Sequence, residues 1–151
     1  MKYSVSFQER YNDFKNYVEN KTSSVEIISL IFETTSPTND YLYNINELNH
    51  FLDNLPKIPL VIMCANDQVA EYLYKELKKR NLHFPEDVSV IGFDNSITSE
   101  MCNSRLTSVD VPTKTMGSVA VLVSRINNPD KLYETIQIDV KIHEKESVLI
   151  L

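Results

Sequence analysis

The order of residues between Pro59 and Asp94 constrains the fold more than any other part of this chain. Leu60–Cys64 is wholly apolar, and Asn66 and Asp67 follow it. Gln68–Arg80 then carries Val69, Ala70, Leu73 and Leu77 at helical spacing, Pro85 marks a turn, and Val88–Phe93 is a second apolar run closed by Asp94. Short runs that are apolar on both faces suit parallel strands covered by helices. Strand, helix and strand in this order make a parallel βαβ unit with a right-handed crossover. In open sheets of this kind ligands bind beyond the carboxyl ends of the strands. Asn66 and Asp94 each fall just past such an end.

The rest of the chain extends the pattern. Ser6-Phe7-Gln8-Glu9 has the form of a capping box, and Tyr11, Phe14, Tyr17 and Val18 recur behind it at helical spacing, as core candidates. Val25–Phe32 has the β-branched content of a strand, and Thr34–Asp40 that of a loop. Ile45, Leu48, Phe51, Leu52 and Leu55 predict a second amphipathic helix, with Asn44 and Glu47 at its start. Asn95–Arg105 is polar, irregular or weakly helical, and Leu106–Val111 is a strand before Pro112. Met116, Val119, Ala120, Val123 and Ile126 give Thr113–Ile126 a helical apolar face. Ile136–Ile142 alternates like a half-buried strand, and Val148–Leu151 is a last apolar run. The expected fold is α/β: a parallel sheet with a β-α-β-α-β core flanked by helices. Only two glycines occur; Gly92, beside Phe93 and Asp94, is expected to let a ligand or another backbone come close.

Several function classes drop out. The formal net charge is −6, and the one dense basic run, Lys75, Lys78, Lys79 and Arg80, fits a solvated helix face that complements the dipole at its end. The chain alone is a poor candidate for binding nucleic acid. Cys64 and Cys102 lack metal-type spacing and indicate no disulfide framework, which fits a reducing compartment. No signal peptide or long apolar run is present. His50, His83 and His143 fall on unrelated elements, and no nucleophile elbow, P-loop or Gly-rich dinucleotide turn occurs. Neither an enzyme nor a metal or cofactor site is expected.

Three side chains stand out as binding groups. The Asp94 carboxylate could accept from two adjacent hydroxyls of a sugar or ribose; its alternative role is to cap the following turn. The Asn66 amide offers donor and acceptor together, though Asn is also a preferred N-cap, so Asn66 and Asp67 could divide capping and ligand contact between them. Arg10 lies in the first turn of its helix, where a cation opposes the dipole. A planar guanidinium there could grip a hydroxyl, carboxylate or phosphate, or simply pair with Glu9 or Asp13.

Pro85–Asp94 reads PEDVSVIGFD, Leu106–Val109 reads LTSV, Met116–Ala120 reads MGSVA, and Lys145–Ser147 reads KES. In these segments the chain resembles the sensor domain of LacI/GalR-type transcription regulators. The resemblance implies a periplasmic-binding-protein-like lobe, with the C-terminal lobe at about 1–110 and the crossover helix and terminal strands at about 111–151. A DNA-binding headpiece and the N-terminal lobe would be missing, so the chain, whose first helix follows Met1 almost at once, reads as a piece of a longer protein. The implied function is to bind a sugar, sugar phosphate or nucleobase between two lobes, with Arg10, Asn66 and Asp94 on one wall. Arg10–Phe14 fits the family's effector-contacting helix, except that Asp13 replaces its usual glycine. Phe32 is the nearest match to its stacking aromatic. Glu71, Met101 and Cys102 would lie near a homodimer interface. The Thr113–Ile126 helix, which packs on the absent lobe in the family, would be exposed, repacked or self-associated. Operator DNA would be met only through the headpiece, in the cytoplasm, with no membrane contact. A lobe of an extracytoplasmic sugar-binding transport receptor and a stand-alone interaction domain are the alternative readings.

Overall fold

Among the described residues, three short parallel strands and one antiparallel strand form a single sheet, and Asn66 and Asp94 lie at its strand ends. The computed structural model describes residues 5–21, 27–30, 45–55, 61–123 and 136–149. In chain order the elements are α1 (Val5–Lys21), α2 (Ile45–Asp53), β1 (Val61–Met63), α3 (Asp67–Lys79), β2 (Ser89–Asp94), α4 (Ile97–Met101), β3 (Thr107–Asp110), α5 (Thr113–Val123) and β4 (Lys141–His143). The sheet order is β1-β2-β3-β4. Val61 lies opposite Ser89, and Ile91 opposite Thr107, in parallel pairs. Ser108 faces His143 in the antiparallel pair. The expected α/β fold with a mostly parallel sheet is what forms.

The core follows from the amphipathic pattern. Val69, Ala70, Leu73 and Leu77 of α3 are buried with Val90 of β2 and the adjoining Val88, with Leu106, Phe84 and Cys64, and with Leu48 and Leu52 of α2. Asn66 starts α3: its side chain accepts from the Val69 N–H at 2.9 Å. Arg80 ends it, and Asn81 follows at φ 56°, a left-handed position that Asn tolerates. The Asn81 N–H donates to the Lys78 carbonyl and the Leu82 N–H to the Leu77 carbonyl, the paired bonds of a Schellman motif. Of the basic run, Lys75 makes the expected solvent-side pair with Glu71 at 2.6 Å. Arg80 instead ties α3 to α2 through Asn49 at 3.0 Å and Asp53 at 2.5 Å.

Several expectations shift. Helix α1 is already running at Val5, so Ser6 lies inside it rather than capping it. No residue of α1 is buried, and Tyr17 is exposed; Arg10 carries its contact with the chain just past β1. Residues 27–30, the described part of the predicted Val25–Phe32 strand, pair with no strand among the described residues, although Leu30 packs against the core. Phe32, Asn44 and Ile126 lie outside the described residues. The polar Asn95–Arg105 segment contains the single turn of α4. The predicted Ile136–Ile142 strand shrinks to Lys141–His143, exposed throughout. Its partner β3 stops at Asp110, and Pro112 has no N–H with which to carry the ladder further. The apolar face of α5 is open at Met116.

Ser147, near the end of the described chain, closes the amino-terminal end of β2 and β3. Ser147 is buried. Its hydroxyl donates to the Val90 carbonyl at 2.6 Å and accepts from the Thr107 N–H at 2.8 Å, bridging the strands where their ladder begins. Glu146 forks onto Arg105, meeting Nε at 2.8 Å and Nη2 at 2.6 Å.

Candidate functional site

The carboxyl ends of β1 and β2 gather three of the predicted groups. After β1 the chain passes through Cys64 and Ala65 to Asn66, and β2 ends at Asp94. From α1, Arg10 reaches across both. Its Nη1 donates to the Ala65 carbonyl at 2.7 Å, and its guanidinium carbon sits 3.6 Å from the centre of the Phe93 ring. Nη2 lies 3.8 Å from Asp94 Oδ1, an ion contact longer than a hydrogen bond. Stacking and the carbonyl bond therefore fix the guanidinium plane, and the ion contact adds an attraction that solvent weakens. The Arg10 side chain keeps 23% of its surface exposed and Asp94 keeps 44%. Together they present a fork of donors beside an acceptor, which suits a ligand carrying hydroxyl groups.

Phe93 is the group that sequence reasoning missed. Its signal was present, since an aromatic residue stands directly before the strand-end aspartate. What the sequence did not contain was the approach of an arginine from a helix more than eighty residues earlier. The Asn66 side-chain oxygen is committed to the α3 cap, and the amide stands half-buried at the edge of the same end. Asp67 takes the inward position: it is 1% exposed and accepts from Ser96 and Ser108. Gly92 opens no approach for a ligand or a backbone. The space its missing side chain leaves holds an Asp67 carboxylate oxygen, which a Cβ would meet at 2.3 Å.

Burial raises the Asp94 carboxyl above its ordinary range; Arg10 opposes this and Asp67 adds to it. When an acid's folded pKa exceeds its unfolded one, the fold holds the extra proton between the two values. Its stability contribution is then greatest below that window and falls as pH rises through it. Asp94→Asn is thus expected to melt no lower than the parent chain at neutral pH. Acidification through the carboxylate range should erase any difference, which remains small because the group is solvent-screened. Melting temperature against pH checks this; a parent chain that outlasts the variant by several degrees at pH 7 contradicts it.

The remaining described candidates lie on and beside the α3–α4 pair. On α4, Met101 is 76% exposed, whereas Cys102 is buried with its sulfur 3.8 Å from the Thr98 carbonyl. Of the three residues expected near a dimer interface, Glu71 and Met101 thus reach the surface and Cys102 lies beneath it. Burial pushes the Cys64 thiol up to about 12 and raises Cys102 as well, which disfavours the thiolate form that a nucleophile needs. Among the described residues no cluster of three potential metal ligands occurs, and no helix is long and apolar enough to cross a membrane.

Residues 4–148 match the family described as a periplasmic binding protein-like domain. The chain is 37% identical over 73 residues to the NTD biosynthesis operon regulator NtdR of Bacillus subtilis, covering 48% of this chain and 22% of that protein. It is 31% identical over 104 residues to the HTH-type transcriptional regulator RegA of Clostridium saccharobutylicum, covering 68% and 31% respectively. Among solved structures, a LacI family transcriptional regulator from Enterococcus faecalis V583 with bound ribose aligns with 95% of this chain and 50% of its own, at a TM-score of 0.72 and 26% identity. The chain spans half or less of the length of each.

Proposed function

Because the chain belongs to the periplasmic binding protein-like domain family, we propose that it is the effector-sensing and dimerisation lobe of a LacI-type, DNA-binding transcription regulator. The observation that carries the proposal is Arg10, stacked on Phe93 and facing Asp94 at the carboxyl ends of adjacent parallel strands. In this reading Arg10, Asn66 and Asp94 form one wall of a cleft for a sugar, sugar phosphate or nucleobase, and Phe32 supplies the stacking ring. The chain divides at about residue 110, ahead of α5 and the terminal strands. A second lobe forms the other wall, and a ligand that prefers one inter-lobe geometry shifts the population toward it. A headpiece outside this chain meets operator DNA in the cytoplasm. The exposed side chains of Ile97 and Met101 on α4 support self-association there, with Glu71 alongside and Cys102 beneath. The open Met116 face of α5 supports a second contact, with the other lobe or with another copy.

The test is an NMR titration of the chain with D-ribose, D-ribose 5-phosphate and adenine. With one wall present, binding near the millimolar level, roughly −4 kcal/mol, is expected, with shifts centred on Phe93 and Asp94. Arg10→Met should weaken it by about tenfold or more, the loss of a charge-assisted hydrogen bond. No response at Phe93 or Asp94 to any of the three probes overturns the reading.

A further inference from the structure

We propose that Asp67 is a positioning residue for this site: its buried carboxylate sets the backbone of Asp94–Ser96 and so aims Asp94 at a hydroxyl-bearing ligand. The ligand half of this rests on the function proposed above; the conformational half stands on the geometry alone.

Asp94 and Asn95 both adopt left-handed backbone conformations, at φ 100° and 46°. Residues with side chains resist that region and stay there only where their surroundings over-determine it. Asp67 supplies much of the determination. Its Oδ2 accepts from the Ser96 N–H at 2.6 Å and from the Ser96 hydroxyl at 3.0 Å. Its Oδ1 accepts from the Ser108 hydroxyl at 2.6 Å. A hydroxyl has one proton to give. Ser108 gives it to Asp67, which leaves its lone pairs to receive the Asn95 N–H at 3.0 Å. The carboxylate therefore holds two consecutive backbone N–H groups, one directly and one through Ser108. From the other side, the Lys145 ammonium donates to Asn95 Oδ1 at 3.0 Å and to Ser99 Oγ at 2.9 Å. At 1% exposure, Asp67 has no surface to offer a ligand and acts through its neighbours.

The arrangement needs an acceptor at both oxygens. Asp67→Asn keeps the shape but turns one of them into an NH2 donor. Either the Ser96 N–H then faces another donor and loses its acceptor, or the NH2 donates to one lone pair of Ser108, whose own proton loses its acceptor. In the second case the hydroxyl that receives the Asn95 N–H is no longer anchored by the carboxylate.

The experiment compares the 15N-labelled chain with Asp67→Asn, Ser108→Ala and Leu73→Ala, the last an apolar core change in α3 that removes none of these hydrogen bonds. Amide exchange and chemical shifts are read at Asn95 and Ser96, and D-ribose binding is followed at Phe93 and Asp94. Asp67→Asn should lose protection and shift at Asn95 or Ser96, and weaken ribose by about tenfold, as loss of a partner behind a binding group does. Ser108→Ala, which removes only the relay, should do the same at Asn95 and serves if Asp67→Asn fails to fold. Leu73→Ala should melt earlier and keep the affinity. Unchanged Asn95 and Ser96 amides in both polar variants overturn the proposal, as does an affinity loss no greater than that of Leu73→Ala. A parent chain that ignores ribose at Phe93 and Asp94 sinks the ligand half together with the binding reading, and the two amides still decide the conformational half.

Discussion

Gly92→Ala is expected to lower the stability of this chain by about 3–5 kcal/mol, as much as a severe core truncation. The added Cβ would meet Asp67 Oδ1 at 2.3 Å and Leu106 Cδ2 at 2.6 Å. Neither neighbour can move cheaply. Leu106 is 0% exposed, and repacking it costs about 1–3 kcal/mol for an overfilled core. Asp67 carries three hydrogen bonds, and losing one to a charged group costs roughly 1.5–3 kcal/mol. The backbone at Gly92 has no positive φ, so alanine fits its dihedral angles and the whole effect is a matter of space. Urea unfolding with an unchanged m-value would measure it. A variant within about 1 kcal/mol of the parent would mean that the packing between β2 and α3 is slacker than the 2.3 Å approach implies.

Ser147→Ala should have the next largest effect, about 2–4 kcal/mol, because it strips an acceptor from one buried group and a donor from another. The Thr107 N–H and the Val90 carbonyl both turn to the Ser147 hydroxyl, and Thr107 and Val90 are buried. Alanine leaves no polar atom to replace it. The adjacent Glu146 offers the contrast. Its fork onto Arg105 is geometrically good, but both partners are exposed, and such pairs are screened by solvent. Glu146→Gln is therefore expected to do clearly less than Ser147→Ala in the same unfolding series, and the reverse order would refute this account of how the terminal segment is held.

Much of the frame was legible beforehand. The apolar runs at Leu60–Cys64 and Val88–Phe93 became β1 and β2, in parallel as expected. The spacing of Val69, Ala70, Leu73 and Leu77 identified the buried face of α3. Asn66 and Asp94 fell at strand ends because alternation and periodicity locate those ends without any knowledge of the partners. A cation opposing the dipole at the start of its helix pointed to Arg10, and the resemblance supported it. Where the local reading failed, the missing information was a neighbour distant in sequence. Tyr17 has the helical spacing of a core residue, yet it is exposed, since periodicity names an apolar face and not whether anything covers it.

The sequence by itself determined the order of the main elements, the buried face of α3 and the strand ends where polar groups collect, because these depend on dihedral preference and on apolar spacing within a few residues. Only the tertiary structure decided what each polar group does there. Asp67 meets Ser108 across 41 positions, Arg10 meets Ala65 across 55, and Ser147 meets Val90 across 57. No local pattern selects such partners. They are chosen when the sheet brings its strands together and a buried donor or acceptor must take whichever complementary group the fold has placed within reach.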